Sequence, residues 1–108
     1  MSKNNFNISL KPPEALVLVK NGQDADLVHE EYNAVGDKFI GIQVYEKYYF
    51  RSSNRAALIV IIDNIKGVTN VRIVSTGSSQ GLIFNFDWGA ADDFVSSVEE
   101  ILGEYIIE

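Results

Sequence analysis

From position 91 onward, apolar residues return at a spacing that one face of a helix satisfies: Ala91, Phe94, Val95, Val98, Ile101, Leu102 and Tyr105 stand at i, i+3, i+4 and i+7. A stripe this wide has to lie against another element, so the rest of the chain must provide a surface for it. Asp87 is placed to cap such a helix. Asp92 and Asp93 fall where the positive end of the helix dipole favours carboxylates, and Glu99, Glu100 and Glu104 lie off the stripe. Phe94 and Val98, at its middle, are expected among the most buried positions.

The surface has to come from the strands upstream. Residues 56–62 form the longest apolar run. It is far short of the roughly 20 residues that a membrane helix needs. Within it, 57–62 reads as a central strand covered on both faces. Residues 6–10 read as a short strand. Pro12 and Pro13 suit a first helical turn, with Glu14 at the dipole's positive end, Leu16, Val19 and Lys20 on one face, and Gly22 as a C-cap after Asn21. Strands are expected at 27–35, closed by Gly36-Asp37, at 39–51, and at 68–75 after turns at 63–64 and 66–67. Residues 82–86 read as a sixth strand or an extended link. A turn at 53–54 and one at 52–54 give opposite phases, so which side chains of 57–62 share a face stays open.

The resulting class is α+β, an antiparallel sheet of about five strands with two helices on one face, in the order β-α-β-β-β-β-α. This order resembles the fold first described for the TATA-binding protein. The resemblance is one of topology and implies nothing about DNA. A second resemblance lies in the residues: Glu-Lys-Tyr-Tyr-Phe-Arg at 46–51, Asn-Arg-Ala-Ala-Leu at 54–58, and Gly-Ser-Ser-Gln-Gly-Leu-Ile-Phe-Asn-Phe-Asp-Trp-Gly-Ala-Ala-Asp-Asp-Phe at 77–94. These segments resemble a small uncharacterised bacterial protein family along the length of the chain. The resemblance implies a bacterial cytosolic domain and carries over no site residues.

The 108 residues fit one domain, 1–108, able to bury a core without staples. There is no cysteine, which removes disulfides, thiolate nucleophiles and cysteine metal sites. The first five residues hold no apolar run, so no secretory leader is expected there and the cytoplasm is the expected location. A net charge of −6 opposes binding to duplex nucleic acid or an anionic membrane, and neither is expected as a partner.

No catalytic motif, metal site or cofactor fingerprint stands out, and none is expected. The Gly/Ser-rich stretch 75–81, with Ser78 and Ser79, is either an anion cradle or a plain connecting turn; a nucleotide P-loop is excluded, because no lysine follows its glycine. Tyr45, Lys47, Tyr49 and Arg51 share one side of a strand, with Arg55 nearby, a pattern that holds a small anionic ligand or is simply a wet strand face. His29 and Glu31 share a face that Glu30 opposes, too few ligands for a transition metal. Glu46 is in phase with Ile40, Ile42, Val44, Tyr48 and Phe50, so it is buried with a partner, or turned outward at a bulge or sheet edge. Trp88 packs in the core or lines a pocket mouth.

The functional expectation is a non-enzymatic binding or assembly module. Helices cover only one face of such a sheet, and the apolar excess on both parities of 57–62 leaves an interface on the other, as in a homodimer. The alternative is a small anionic or apolar ligand held between the sheet and the C-terminal helix by Tyr45, Tyr48, Tyr49, Phe84 and Trp88. An enzyme built on Glu46, His29 and Ser78 ranks below both.

Overall fold

The computed structural model describes residues 2–49, 54–78 and 88–107, with the backbone alone at 2, 49, 54, 77, 78 and 88–92. Five strands and two helices follow in the order β1 (Ser2–Ile8), α1 (Pro12–Gly22), β2 (Asp26–Val35), β3 (Lys38–Tyr49), β4 (Asn54–Asp63), β5 (Thr69–Ser78) and α2 (Trp88–Leu102), with a short 3-10 turn at Gly103–Tyr105. The sheet is antiparallel throughout, in the spatial order β1-β5-β4-β3-β2. The all-apolar run thus sits in the middle strand. The expected class and element order hold.

Successive hairpins build four of the strands. Gly36 has a φ of 61°, which lets a two-residue connection join Val35 to its partner Lys38. Asn64 ties the two hairpin ends together: its Oδ1 accepts from the Phe39 N–H at 2.7 Å and its Nδ2 donates to the Asp37 carbonyl at 3.0 Å. Asn54 pairs with Tyr49, so it belongs to β4 rather than to a turn, and Tyr45 comes opposite Leu58. That register decides the phase. Leu58, Val60 and Ile62 turn toward the helices and are fully buried, while Ala57, Ile59 and Ile61 turn away and remain partly exposed. Among the described residues, the middle strand is therefore covered on one face, not on both.

Each helix enters for a local reason. α1 begins at Pro12-Pro13, where missing N–H groups cost nothing, and Glu14 accepts from the Lys11 N–H at 3.1 Å. Ala15, Leu16 and Val19 are buried beneath it, over β3 and β4. α2 lies over β5, β1 and β4 and presses Phe94, Val95, Val98 and Leu102 into the same core, each at most 4% exposed. The amphipathic reading of its face holds; Asp87 lies outside the described residues.

Gly22 is not a left-handed cap. The helix runs through it, and the Gln23 N–H closes the last turn on the Val19 carbonyl at 2.9 Å. A Cβ at Gly22 would meet Ile101 Cγ1 at 3.0 Å, so glycine lets the two helices approach. The Gln23 amide also donates to Ser97 Oγ at 2.9 Å, and that hydroxyl donates to the Phe94 carbonyl.

Candidate functional site

Paired residues of an antiparallel ladder share a face, so the registers sort the side chains into rows across the sheet. On the helix side the rows run Tyr32–Gly41–Ile62–Val71–Phe6, then Glu30–Gln43–Val60–Ile73–Asn4, then Leu27–Tyr45–Leu58–Ser75. Their middles form the core, with Tyr32, Glu30 and Asn4 at the exposed ends. Their polar ends are tied off by the helices: Lys20 of α1 reaches Glu30 at 3.2 Å, and Asn4 donates to Glu99 of α2.

One buried polar chain crosses this core. The Tyr45 hydroxyl donates to Gln43 Oε1 at 2.7 Å, and Gln43 Nε2 donates to Glu30 at 2.9 Å and to the Leu16 carbonyl at 3.2 Å. Burial, and behind it the Glu30 charge, push the Tyr45 phenol up to about 12. The Gln43 amide, with the Lys20 ammonium, holds the Glu30 carboxyl below its ordinary value. The Tyr45 hydroxyl and both ends of the Gln43 amide are satisfied, so the network fixes α1 on the sheet.

The opposite face is uncovered among the described residues. Its rows run Asn33–Ile40–Asp63–Asn70–Asn7, Glu31–Ile42–Ile61–Arg72–Asn5, His29–Val44–Ile59–Val74–Lys3 and Asp26–Glu46–Ala57–Thr76. Ile40, Ile42, Val44, Ile59, Ile61 and Val74 make a partly exposed apolar centre. Polar and charged side chains ring it. They pair largely within the face: Arg72 with Asp63 at 2.9 Å, His29 with Glu31 at 3.2 Å, and Arg55 with Glu46 at 3.5 Å. Glu46 is in phase with its apolar neighbours as the sequence indicates; because that phase is the open one, the carboxylate is half exposed and needs no bulge. The bulge in β2 falls instead between Leu27 and His29 and leaves Val28 61% exposed.

The basic and aromatic residues singled out from the sequence do not gather. Tyr45 is 1% exposed and belongs to the core. Lys47, on the helix side, holds Asp24 at 3.0 Å. Arg55 points to the other face, 5.9 Å from the Tyr48 ring. Tyr49, Ser78 and Trp88 are placed by backbone only, in β3, in β5 and at the start of α2. Arg51, Ser79 and residues 82–86 lie outside the described residues. The stretch 75–81 is not a loop over its first half, because β5 continues to Ser78, paired with Arg55. What sequence reading missed is a polar corner of the open face, where Asn5, Asn7 and Asn70 meet Asp63 and Arg72. Its signal was present as polar residues alternating with apolar ones, Asn5 and Asn7 about Phe6 and Asn70 and Arg72 about Val71, but their convergence needs the β1–β5 pairing.

Among the described residues, no three His, Cys, Asp or Glu side chains converge on a metal site, and no helix is long and apolar enough to cross a membrane. The sequence profile of DUF6054, a family of unknown function, matches residues 3–106, and the chain belongs to that family. No curated protein and no solved structure gives a significant match.

Proposed function

We propose that this member of a family of unknown function is a non-enzymatic assembly module that pairs with a second copy of itself through the open sheet face. The observation that carries this reading is the row of partly exposed isoleucines and valines on β3, β4 and β5, ringed by polar side chains. An apolar centre with a polar rim is how protein interfaces are built.

Size and charge both favour a second copy as the occupant. Five strands about 4.8 Å apart, and four rows about 7 Å apart along them, give a flat outline on the order of 600 Å². Side-chain relief raises the accessible area above that outline, toward the roughly 800 Å² per partner of a standard interface. The chain as a whole carries −6, which opposes self-association. The open face is balanced, with Lys3, Lys38, Arg55 and Arg72 against Asp26, Glu31, Glu46 and Asp63. Three of its four cations stand on β1, β5 and β4, while Asp26, Glu31 and Glu46 stand on β2 and β3. A two-fold axis along the strands lays the first group over the second, and the sheets stack face to face.

Sedimentation velocity tests this at roughly 10 μM, the range in which a micromolar dimer is populated. Wild type is expected as a dimer. Ile61→Lys, which puts an unpaired charge at the centre of the face, is expected as a folded monomer with a melting temperature within a few degrees of wild type. A wild-type monomer at that concentration overturns the proposal, as does an Ile61→Lys dimer of unchanged affinity.

A further inference from the structure

At the corner of the open face, where β1 and β5 meet the β4–β5 turn, a cleft of about 510 Å³ opens. Its volume lies in the range that holds a small organic ligand. Asn5, Asn7, Lys66 and Arg72 supply its polar groups, and Ile65 and Val68 an apolar wall. A second hollow, bounded by Lys3, adjoins it through Asn5 and Arg72. Two of the chain's nine cations thus line this cleft and a third bounds the adjoining hollow, in a protein of net charge −6, with Asp63 the single carboxylate among the lining side chains.

The hydrogen bonds show what this cleft lacks. Asp63 is engaged at both oxygens: Oδ1 accepts from the Ile65 N–H at 3.1 Å and Oδ2 from Arg72 at 2.9 Å. The two hydrogens of Asn70 Nδ2 are shared among three acceptors, Asn5 Oδ1 at 2.6 Å, Asn7 Oδ1 at 3.0 Å and the Phe6 carbonyl at 3.3 Å. A backbone carbonyl only accepts, so it fixes which end of the Asn70 amide faces β1. The oxygens of Asn5 and Asn7 are then turned to Asn70, and their NH₂ groups are left without an acceptor among the described residues. The Lys66 ammonium and the remaining N–H groups of Arg72 are in the same position. The carboxylate and the two β1 amide oxygens are committed, while several donors, two of them on cations, stand open.

From this donor surplus we infer that the cleft binds an organic oxyanion, its phosphate or carboxylate group held by Arg72, Lys66 and the amides of Asn5 and Asn7, and its apolar body laid on Ile65 and Val68. Fork-shaped and amide donors suit an oxyanion, since each oxygen accepts more than one bond. This site shares Asn5, Asn7 and Arg72 with the face that is proposed to pair with a second copy, so a bound oxyanion and a second copy compete for it, and the site itself needs no second copy.

Titration of ¹⁵N-labelled protein, followed by NMR, with phenyl phosphate, benzoate and inorganic phosphate tests the proposal. Saturable shifts are expected at the side-chain amides of Asn5, Asn7 and Asn70 and at the backbone amide of Arg72. The phosphate and carboxylate probes show which oxyanion is preferred, and inorganic phosphate shows what the apolar wall adds. Asn5→Asp keeps the oxygen that Asn70 uses and replaces a donor by a negative charge; it is expected to weaken binding by at least about tenfold, as loss of a charge-assisted bond does. Lys66→Gln, at an exposed position, is expected to weaken it without moving the melting temperature. Shifts that grow linearly without saturation, equal binding of neutral benzyl alcohol, or an Asn5→Asp variant that binds as tightly as wild type would each overturn it.

Discussion

Gly41 is where the docking of α1 on the sheet can be tested most directly. A Cβ built on Gly41 would stand 2.2 Å from Leu16 Cδ1 and 3.3 Å from Leu16 Cγ. Leu16 is only 6% exposed, so its side chain has little room to swing away. Gly41→Ala therefore inserts a methyl group into a filled space. Overpacking of this kind costs about 1–3 kcal/mol. Alanine offsets about 0.5–1 kcal/mol of that through the smaller entropy of its unfolded chain. At about 4 °C per kcal/mol for a domain of this size, the melting temperature should fall by several degrees. Leu16→Ala alone removes a buried side chain and should cost about 2–5 kcal/mol. In the double variant the clash is gone and the new methyl partly fills the hole. Its loss should therefore be smaller than the sum of the single losses by about 1–2 kcal/mol, the coupling expected of touching residues. Urea unfolding of the four proteins, followed by circular dichroism, measures the cycle. Additivity to within about 0.5 kcal/mol would mean that Leu16 does not sit over Gly41 and that α1 is docked elsewhere.

Two further outcomes follow from the packing and the charges. Phe94→Ala, at a site 1% exposed, should cost about 3–5 kcal/mol, whereas Glu100→Ala, on the wet side of α2, should stay within about 0.5 kcal/mol; thermal melts of both variants check this, and equal losses would put the wrong helix face inward. Glu30 is held below its ordinary value of 4.5 by Gln43 first and Lys20 second, so its contribution is fully present above that value and is lost as the pH falls through the lower folded one. Lys20→Gln should accordingly lower the unfolding free energy measured in urea slightly at neutral pH, by less than about 1 kcal/mol for so exposed a pair, and not at all at about pH 2; a difference that persists in acid would assign the loss to packing instead.

Much of this fold is legible in the chain before any coordinates. The period of 91–102 marks a helix and its inward face, because a 3.6-residue repeat of apolar side chains leaves one stripe to hide. The prolines at 12 and 13 and the glycine at 36 mark where backbone geometry has to change. The unbroken run at 57–62 marks the middle strand. These signals are local, carried by the residues that adopt the conformation.

The rest was decided by pairing. With a period of two, a strand presents either parity to the core equally well, and only the Tyr45–Leu58 register assigns Tyr45 to the interior and Ile59 to the open face. The same register separates Lys47 from Arg55, which lie eight positions apart in the chain and on opposite faces of the sheet. The asparagine corner brings together β1 and β5, which are more than sixty residues apart. Gly22 reads as a helix stop in isolation and becomes a point of close approach only because Ile101 of α2 lies over it. Side-chain chemistry determined what each element is, but which residues meet depended on long-range registers, for which a single sequence carries no periodic signal.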